Sequence, residues 1–285
     1  MKGIVLAAGK GTRLYPMTKP VCKPLLPVYD KPLIYYPIAV LMEAGIQEVL
    51  VIIPPGEKDT FYSLLGNGEQ YGLRISYAVQ PKARGIADAL IIGREFAAGD
   101  RVCLVLGDNI FYAPTLAETL KRAASIHQGA AVFGHWVEDP RPFGVVEFGE
   151  DGRAISIEEK PRYPKSNYII PGLYFYDSQV MDIAANLKPS NRGELEITDV
   201  NLEYLRRGQL QVIPLGKDFV WLDAGNADSL LKAGQVICEI QQRTGRYVGC
   251  LEELGFREGW ITADEVHKTG EELGMTLYGK YLQCL

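Results

Sequence analysis

No apolar run in this sequence approaches the roughly 20 residues that a membrane-spanning helix needs, so no bilayer-crossing segment is expected. Lys2 leads into a strand-like segment with no cleavage-site pattern behind it, and a secretory leader is not expected either. The five cysteines (Cys22, Cys103, Cys238, Cys250, Cys284) are scattered, odd in number and without a C-x-x-C pair. That excludes a disulfide framework and a thiolate metal site, and fits reduced thiols in a cytoplasmic protein. The three histidines, His127, His135 and His267, lie far apart with no ligand spacing. Net positive charge is lacking as well: the chain carries −5, which argues against nucleic acid as the main partner. Repeats, linkers and low-complexity segments are missing, including the hexapeptide repeats of an appended β-helix. What remains is 285 residues of 47% hydrophobic composition, ample for one large α/β domain or two small ones.

Against this acidic background, positive charge gathers at one end. From Met1 to Lys31 there are five lysines and one arginine against one acid, Asp30, a net +5; with −5 for the whole, the remainder carries −10. Inside that basic stretch, the apolar run Gly3-Ile4-Val5-Leu6 reads as a buried first strand and is followed by Ala7-Ala8-Gly9-Lys10-Gly11-Thr12-Arg13. Glycines bring bare backbone amides close to an anion, so such a loop can wrap a phosphate. Arg13 adds a planar, permanently charged fork for phosphate oxygens. The loop is neither common nucleotide fingerprint: Leu14 stands where G-x-G-x-x-G needs its third glycine, and Gly11 follows Lys10 where a P-loop needs Ser or Thr. A glycine turn with a solvated basic face is the plain alternative.

Prolines 16, 20, 24 and 27 predict an extended, non-helical course from Tyr15 to Asp30. Helices are predicted over Leu33–Ala44, Glu57–Leu65, Gly85–Phe96 and Pro114–His127, and strands over Val49–Ile53, Leu73–Val79, Val102–Leu106 and Ala130–Val137. Unbroken apolar strands alternating with helices indicate a mostly parallel sheet covered on both faces. The texture then changes. Strands over Gly144–Phe148, Ala154–Glu158 and Tyr168–Tyr176 suggest a more antiparallel part, followed by helices Glu196–Arg206 and Ala227–Thr244 flanking strands Gln211–Ile213 and Phe219–Asp223, and short helices from Leu251 to Leu285. One domain over 1–285 is expected, with a mostly parallel part at about 1–137, a more antiparallel substrate-binding part at about 138–225 and C-terminal helices at about 226–285.

Ligands of open parallel sheets sit at the carboxyl ends of strands. Gly9 to Arg13, Gln80, Asp108 and Asp223 all fall at such ends. A single aspartate there reads as a cap or turn former, but two beside a phosphate-type loop favour Mg²⁺, which on nucleotides uses one or two carboxylates plus phosphate oxygens. The Gln80 amide has a donor face and an acceptor face and can read a pyrimidine edge; capping its own loop is the alternative. In Glu158-Glu159-Lys160-Pro161, Glu159 can accept from sugar hydroxyls and Lys160 can hold a phosphate, or the run is an exposed charged turn. Arg192 is a further anion contact or simply part of a helix start rich in acids.

These segments together resemble the sugar nucleotidyltransferases, nearly end to end. The marks are Leu6 to Leu14, Tyr29-Asp30-Lys31-Pro32-Leu33-Ile34-Tyr35-Tyr36-Pro37, Val79-Gln80-Pro81, Leu106 to Tyr112, Glu158 to Pro161, Gly172 to Asp177, Arg192 to Asp199 and Trp221 to Gly225. The loop marks only the superfamily, whereas Gly107-Asp108-Asn109-Ile110-Phe111-Tyr112 with Arg192-Gly193-Glu194-Leu195-Glu196-Ile197-Thr198-Asp199 resembles its thymidylyl branch. The resemblance implies a Rossmann-like nucleotidyltransferase fold and Mg²⁺-dependent synthesis of dTDP-glucose and pyrophosphate from dTTP and glucose 1-phosphate. It further implies a cytoplasmic homo-oligomer, commonly a tetramer. It places Gly9, Gly11, Thr12, Arg13 and Lys23 at the phosphates, Leu6 among the substrate-binding residues, Gln80 and Gly85 at the base, and Asp108 and Asp223 on the metal. Asn109, Gly144, Glu159 and Tyr174 then lie on the sugar side, Lys160 holds the sugar phosphate and Arg192 is a further anion contact. Arg13, Lys23 and Lys160 are the implied catalytic cations. Two positions depart from the thymidylyl pattern: Pro24, where Gln often follows the phosphate lysine, and Pro171, where Thr is more usual. Rival readings are a uridylyl or cytidylyl homologue, a glycosyltransferase, whose D-x-D metal motif Asp108-Asn109-Ile110 lacks, and a catalytically idle nucleotide-sugar sensor.

Overall fold

The computed structural model describes residues 1–285. Its strands are β1 (Lys2–Leu6), β2 (Pro27–Val28), β3 (Lys31–Pro32), β4 (Glu48–Ile53), β5 (Arg74–Val79), β6 (Val102–Leu106), β7 (Asn109–Tyr112), β8 (Ala130–Trp136), β9 (Gly144–Phe148), β10 (Ala154–Glu159), β11 (Tyr168–Ile169), β12 (Leu173–Tyr176), β13 (Leu210–Pro214) and β14 (Val220–Asp223). The helices are α1 (Tyr35–Glu43), α2 (Lys58–Leu65), α3 (Asp88–Ile92), α4 (Arg94–Ala97), α5 (Leu116–Ala124), α6 (Val180–Ala185), α7 (Ile197–Arg206), α8 (Ala227–Thr244), α9 (Leu251–Arg257), α10 (Ala263–Glu272) and α11 (Leu277–Leu282).

The main sheet runs β10-β9-β11-β8-β12-β6-β1-β4-β5, with β13 joined to β8. Strands β5, β4, β1 and β6 are mutually parallel. β12 is antiparallel to both β6 and β8, so β8 and its parallel neighbour β13 again run with β6. The result is a mostly parallel α/β sheet with an antiparallel extension through β11, β9 and β10. The residues that make this possible are the fully apolar strands: Ile4, Val5, Val49, Val51, Ile52, Ile53 and Val102 to Val105 have no accessible surface. Alternate side chains point to opposite faces, and each face has its own core. On one side Val5, Val51, Cys103 and Val105 meet α1, α2 and α5; on the other Ile4, Ile52, Leu104 and Val132 meet α3, α6 and α7.

Sequence expectations hold for the long elements and need correction at three places. The proline-rich course from Tyr15 to Asp30 contains a 3-10 turn over Lys23–Leu25, because proline suits the first positions of a turn, and then β2, which pairs with β3 in a short hairpin. The helix expected over Gly85–Phe96 is two short helices divided at Gly93. A Cβ at Gly93 would stand 2.6 Å from the Ile4 side chain, so glycine there permits close packing on the sheet. The strand expected over Tyr168–Tyr176 divides into β11 and β12 around Ile170–Gly172. There the Gly172 amide leaves the ladder and donates to Asn109 Oδ1 at 3.1 Å.

The C-terminal helices are tied to the N-terminal basic stretch through Lys31. Its side chain is buried, with Nζ 2.5 Å from Asp30 Oδ1 and over the rings of Tyr36, Tyr247 and Tyr278 at 5.4, 5.4 and 5.9 Å. Burial pulls its pKa down, and the neighbouring Asp30 charge opposes that pull. Gln241, near the end of α8, donates to Asp30 Oδ2 at 2.8 Å and accepts from Val248 N at 3.0 Å. No helix is long and apolar enough to cross a membrane.

Candidate active site

At the carboxyl ends of β1 and β6 two loops meet backbone to backbone. Gly107 N donates to Leu6 O at 2.9 Å, and a Cβ on Gly107 would come 2.9 Å from the same oxygen, so glycine is required there. The loop from Ala7 to Gly11 then turns out to solvent with Gly9 open and Gly11 in the left-handed region at φ 61°. The buried Leu14 anchors the following 3-10 turn and leaves Thr12 and Arg13 exposed.

Lys23 enters from its own 3-10 turn with its side chain almost wholly buried and sets Nζ 2.5 Å from Asp108 Oδ2. The other Asp108 oxygen accepts from Asn109 Nδ2 at 2.8 Å. Asn109 is buried and its Oδ1 accepts from Trp221 Nε1 at 2.7 Å as well as from Gly172 N. Asp108 is thus held by a cation on one oxygen and by a fixed amide on the other.

Asp223 arrives differently from the expectation. It ends β14, which pairs antiparallel with β7 in a separate two-stranded ribbon, not in the main sheet. In that ribbon Asp223 is opposite Asn109, and Ala224 N donates to Asp108 O at 3.1 Å. Burial, with the Asp108 charge second, pushes the Asp223 carboxyl up against the opposing pull of Lys23 and Arg13, to about 6. A Cβ on Gly225 would be 2.9 Å from Asp223 Oδ2 and 3.2 Å from an Arg13 nitrogen, which brings the guanidinium to the same spot. Two neighbouring carboxylates, one of them disfavoured as an anion chiefly by its burial, form a donor set that a divalent cation would satisfy. No third His, Cys, Asp or Glu joins them. A pair of carboxylates would suit Mg²⁺, which is usually bound through one or two carboxylates plus substrate phosphates and waters.

Two adjoining cavities share Leu106, Asp108 and Ile86. The smaller, about 210 Å³, is lined by Leu6, Gly9, Lys23 and Pro24 among others. The larger, about 550 Å³, takes Arg13, Asn109, Gly144, Glu159, Lys160, Tyr174 and Asp223. In it, Glu159 Oε2 accepts from Thr198 Oγ1 at 2.5 Å, and a Cβ on Gly144 would come 3.4 Å from that oxygen. Lys160 has φ 45°, a left-handed conformation costly for a side-chain-bearing residue and shared in this chain only by Tyr29 and Ala98 among non-glycine residues. Its Nζ is 3.6 Å from Glu159 Oε1.

Five expected residues do not line either cavity. Gly11 and Thr12 shape the loop; Arg192 lies behind Glu159, with its guanidinium 3.6 Å from Glu159 and 2.6 Å from Glu194. Gly85, at φ 106°, packs its α-carbon on the Leu195 backbone, where a Cβ would meet Leu195 O at 2.4 Å. Gln80 is likewise outside them, buried at the end of β5 with its amide nitrogen 2.9 Å from Asp88 Oδ2. Ile86, one residue beyond Gly85, carries that loop into both cavities.

Thr198, Asn201, Trp221 and Asn226 also line the larger cavity and were not assigned from sequence. A signal existed for Trp221, which stands two residues before Asp223 on a strand and so shares its face. For Thr198, Asn201 and Asn226 only the fold brings them in.

The nucleotidyl transferase family model matches residues 2–240, and the chain belongs to that enzyme family. It is 55% identical over 284 residues to the glucose-1-phosphate thymidylyltransferase of Xanthomonas campestris pv. campestris, covering 100% of this chain and 96% of that protein. It is 52% identical over 282 residues to the enzyme of the same name from Neisseria gonorrhoeae, covering 99% and 98%. Among solved structures, a Bacillus anthracis protein crystallised with sucrose superposes with a TM-score of 0.77 at 42% identity, covering 83% of this chain and 94% of that one.

Proposed function

We propose that this nucleotidyltransferase moves a thymidylyl group from dTTP to glucose 1-phosphate, giving dTDP-glucose and pyrophosphate. The observation that carries the reading is the convergence of Arg13, Lys23 and the Asp108–Asp223 pair on one side of Lys160 and Glu159, in adjoining cavities on a chain full-length similar to thymidylyltransferases. One end suits a triphosphate, the other a phosphorylated sugar.

The sugar phosphate oxygen attacks the α-phosphorus in line, and pyrophosphate leaves from the opposite side. The attacking group is already an anion, so neither a protein nucleophile nor a general base is required. What the chain must supply is position and charge neutralisation for two anions that repel each other. Lys160 holds the sugar phosphate. Lys23 lies buried at the phosphate end, and Arg13 faces the departing pyrophosphate. Glu159, oriented by Thr198, accepts from sugar hydroxyls, and Gly144 leaves room for the ring. Asp108 and Asp223 would hold Mg²⁺, which when bound neutralises phosphate charge. A cytoplasmic homo-oligomer, tetrameric by resemblance, accompanies this reading, and five unpaired thiols fit a reducing compartment.

Pro24 and Pro171, the two departures from the thymidylyl pattern, both line the cavities. That favours keeping uridylyl transfer as the second reading. The test is pyrophosphate release with Mg²⁺ across dTTP, UTP, CTP, ATP and GTP, each against glucose-, galactose-, mannose- and N-acetylglucosamine 1-phosphate. A maximum at dTTP with glucose 1-phosphate is expected. A maximum at UTP would move the substrate and keep the reaction, and release in no combination would remove the reading.

A further inference from the structure

Asp88 is one of the few charged side chains that the fold buries almost completely, at 1% exposure. It opens α3 and belongs to neither cavity. Both its oxygens are committed. Oδ1 accepts from the Arg84 guanidinium at 2.5 Å, and Oδ2 accepts from Gln80 Nε2 at 2.9 Å. The Arg84 backbone is itself clamped from the other side: Leu195 N donates to Arg84 O at 2.6 Å, and Ala87 N donates to Leu195 O at 3.1 Å.

The consequence concerns Gln80. A carboxylate only accepts, so it fixes which end of the neighbouring amide turns toward it. Gln80 must give Asp88 its NH₂ end, and the Gly85 carbonyl, 3.5 Å from the same nitrogen, demands the same orientation. The Gln80 Oε1 is then the outward end. It receives no hydrogen bond from the protein and is not among the sealed, unpartnered polar atoms, so it is open to a ligand.

We infer that Asp88 is a positioning residue that sets base selectivity by locking the Gln80 amide with its acceptor outward, so that the site takes a pyrimidine carrying an N3–H donor and rejects cytosine. Thymine and uracil present N3–H to such an acceptor, whereas cytosine presents a bare N3 lone pair, and two facing acceptors leave a polar pair unsatisfied. The inference rests on the placement of Gln80 at the base in the reading above.

Replacing Asp88 by Asn tests it with almost no change of shape. Arg84, which only donates, keeps the side-chain oxygen, and the new NH₂ falls where Oδ2 was. Gln80 then turns its oxygen inward and its NH₂ outward, toward an acceptor. The measurement is calorimetric binding of dTDP and dCDP to the wild type and to Asp88→Asn, with pyrophosphate as control. We expect the wild type to favour dTDP over dCDP on the order of 100-fold, and the variant to lose at least about 10-fold of that ratio with pyrophosphate affinity unchanged, as loss or gain of one well-formed hydrogen bond dictates. An unchanged ratio in the folded variant overturns the proposal, as does a wild type that binds dCDP as tightly as dTDP. Should the variant not fold, NMR on the wild type decides. The Gln80 side-chain NH₂ protons, identified by their loss in Gln80→Met, should be protected from solvent exchange with and without dTDP; unprotected protons overturn the proposal. Turnover of UTP instead of dTTP would remove the thymidylyl reading and leave this one standing, because uracil carries the same N3–H; UDP and CDP would then be the pair compared.

Discussion

Lys23 Nζ and Asp108 Oδ2 are 2.5 Å apart, so the buried cation at the phosphate end of the site is bonded to a carboxylate proposed to hold the metal. Neither group can be altered without releasing the other. Lys23→Ala should therefore lose more than a phosphate contact, since it also leaves Asp108 and Asp223 with only Arg13 to offset their charge. We expect kcat to fall on the order of 10²–10³-fold, the usual cost of removing one well-placed electrostatic group. Steady-state rates of pyrophosphate release check this, and a change below about threefold would take Lys23 out of the phosphate site.

Asp223 gives a prediction about stability. With burial as the main cause, its folded-state value of about 6 lies above the ordinary carboxyl value near 4. Between those two the folded chain binds more protons than the unfolded one, so stability from this group falls as pH rises and its cost is complete above about 6. Asp223→Asn should thus raise the Tm of the metal-free protein at pH 7.5, by an amount equivalent to about 1–3 kcal/mol, with no gain at pH 4. Added Mg²⁺ should raise the Tm of the wild type and not of the variant. Scanning calorimetry at the two pH values, with and without Mg²⁺, reads out both effects.

Lys160 separates function from stability. Its φ of 45° costs of order 1 kcal/mol for a residue with a side chain and nothing for glycine. Lys160→Gly should keep or slightly gain thermal stability while raising KM for the sugar phosphate at least about tenfold. Lys160→Ala should show the same kinetic loss without the relief. Unchanged use of the sugar phosphate in both variants would place Lys160 outside the site.

Gly85 should tolerate no side chain. At φ 106° and with Leu195 O 2.4 Å from the position of a Cβ, alanine would have to push backbone against backbone. Gly85→Ala is expected to cost about 2 kcal/mol or more in stability and to weaken nucleotide binding more than sugar-phosphate binding, which denaturant melts and separate KM values will show.

The legible parts of this molecule were those with local causes. The parallel strands announce themselves because burial on both faces requires uninterrupted apolar residues, as in Val102 to Leu106, and α8 is bounded as expected because Asn226 and Gly245 cap it. The ribbon of β7 and β14 was half seen. Asn109 to Tyr112 is too short to read alone, and its strand character comes from a partner more than a hundred residues away. The same holds in the site. Asp108, Asp223 and the loop from Gly9 to Arg13 stand at strand ends and carry their chemistry in their residue types. Thr198 matters through Glu159, and Asp88 through Gln80, and both pairings exist only after the chain has folded.

Helix α8 begins at the cavity, where Asn226 caps it, and ends beside the Lys31 cage, where Gln241 grips Asp30. At about 1.5 Å per residue the fifteen steps between them make a strut of roughly 22 Å. A rod of fixed length works as a gauge: one residue inserted or removed would turn Gln241 by about 100° and carry it off Asp30, while Asn226 stayed in place. The separation between the reaction chamber and the C-terminal helices is therefore set by a residue count, and these two distant regions are machined to a common measure.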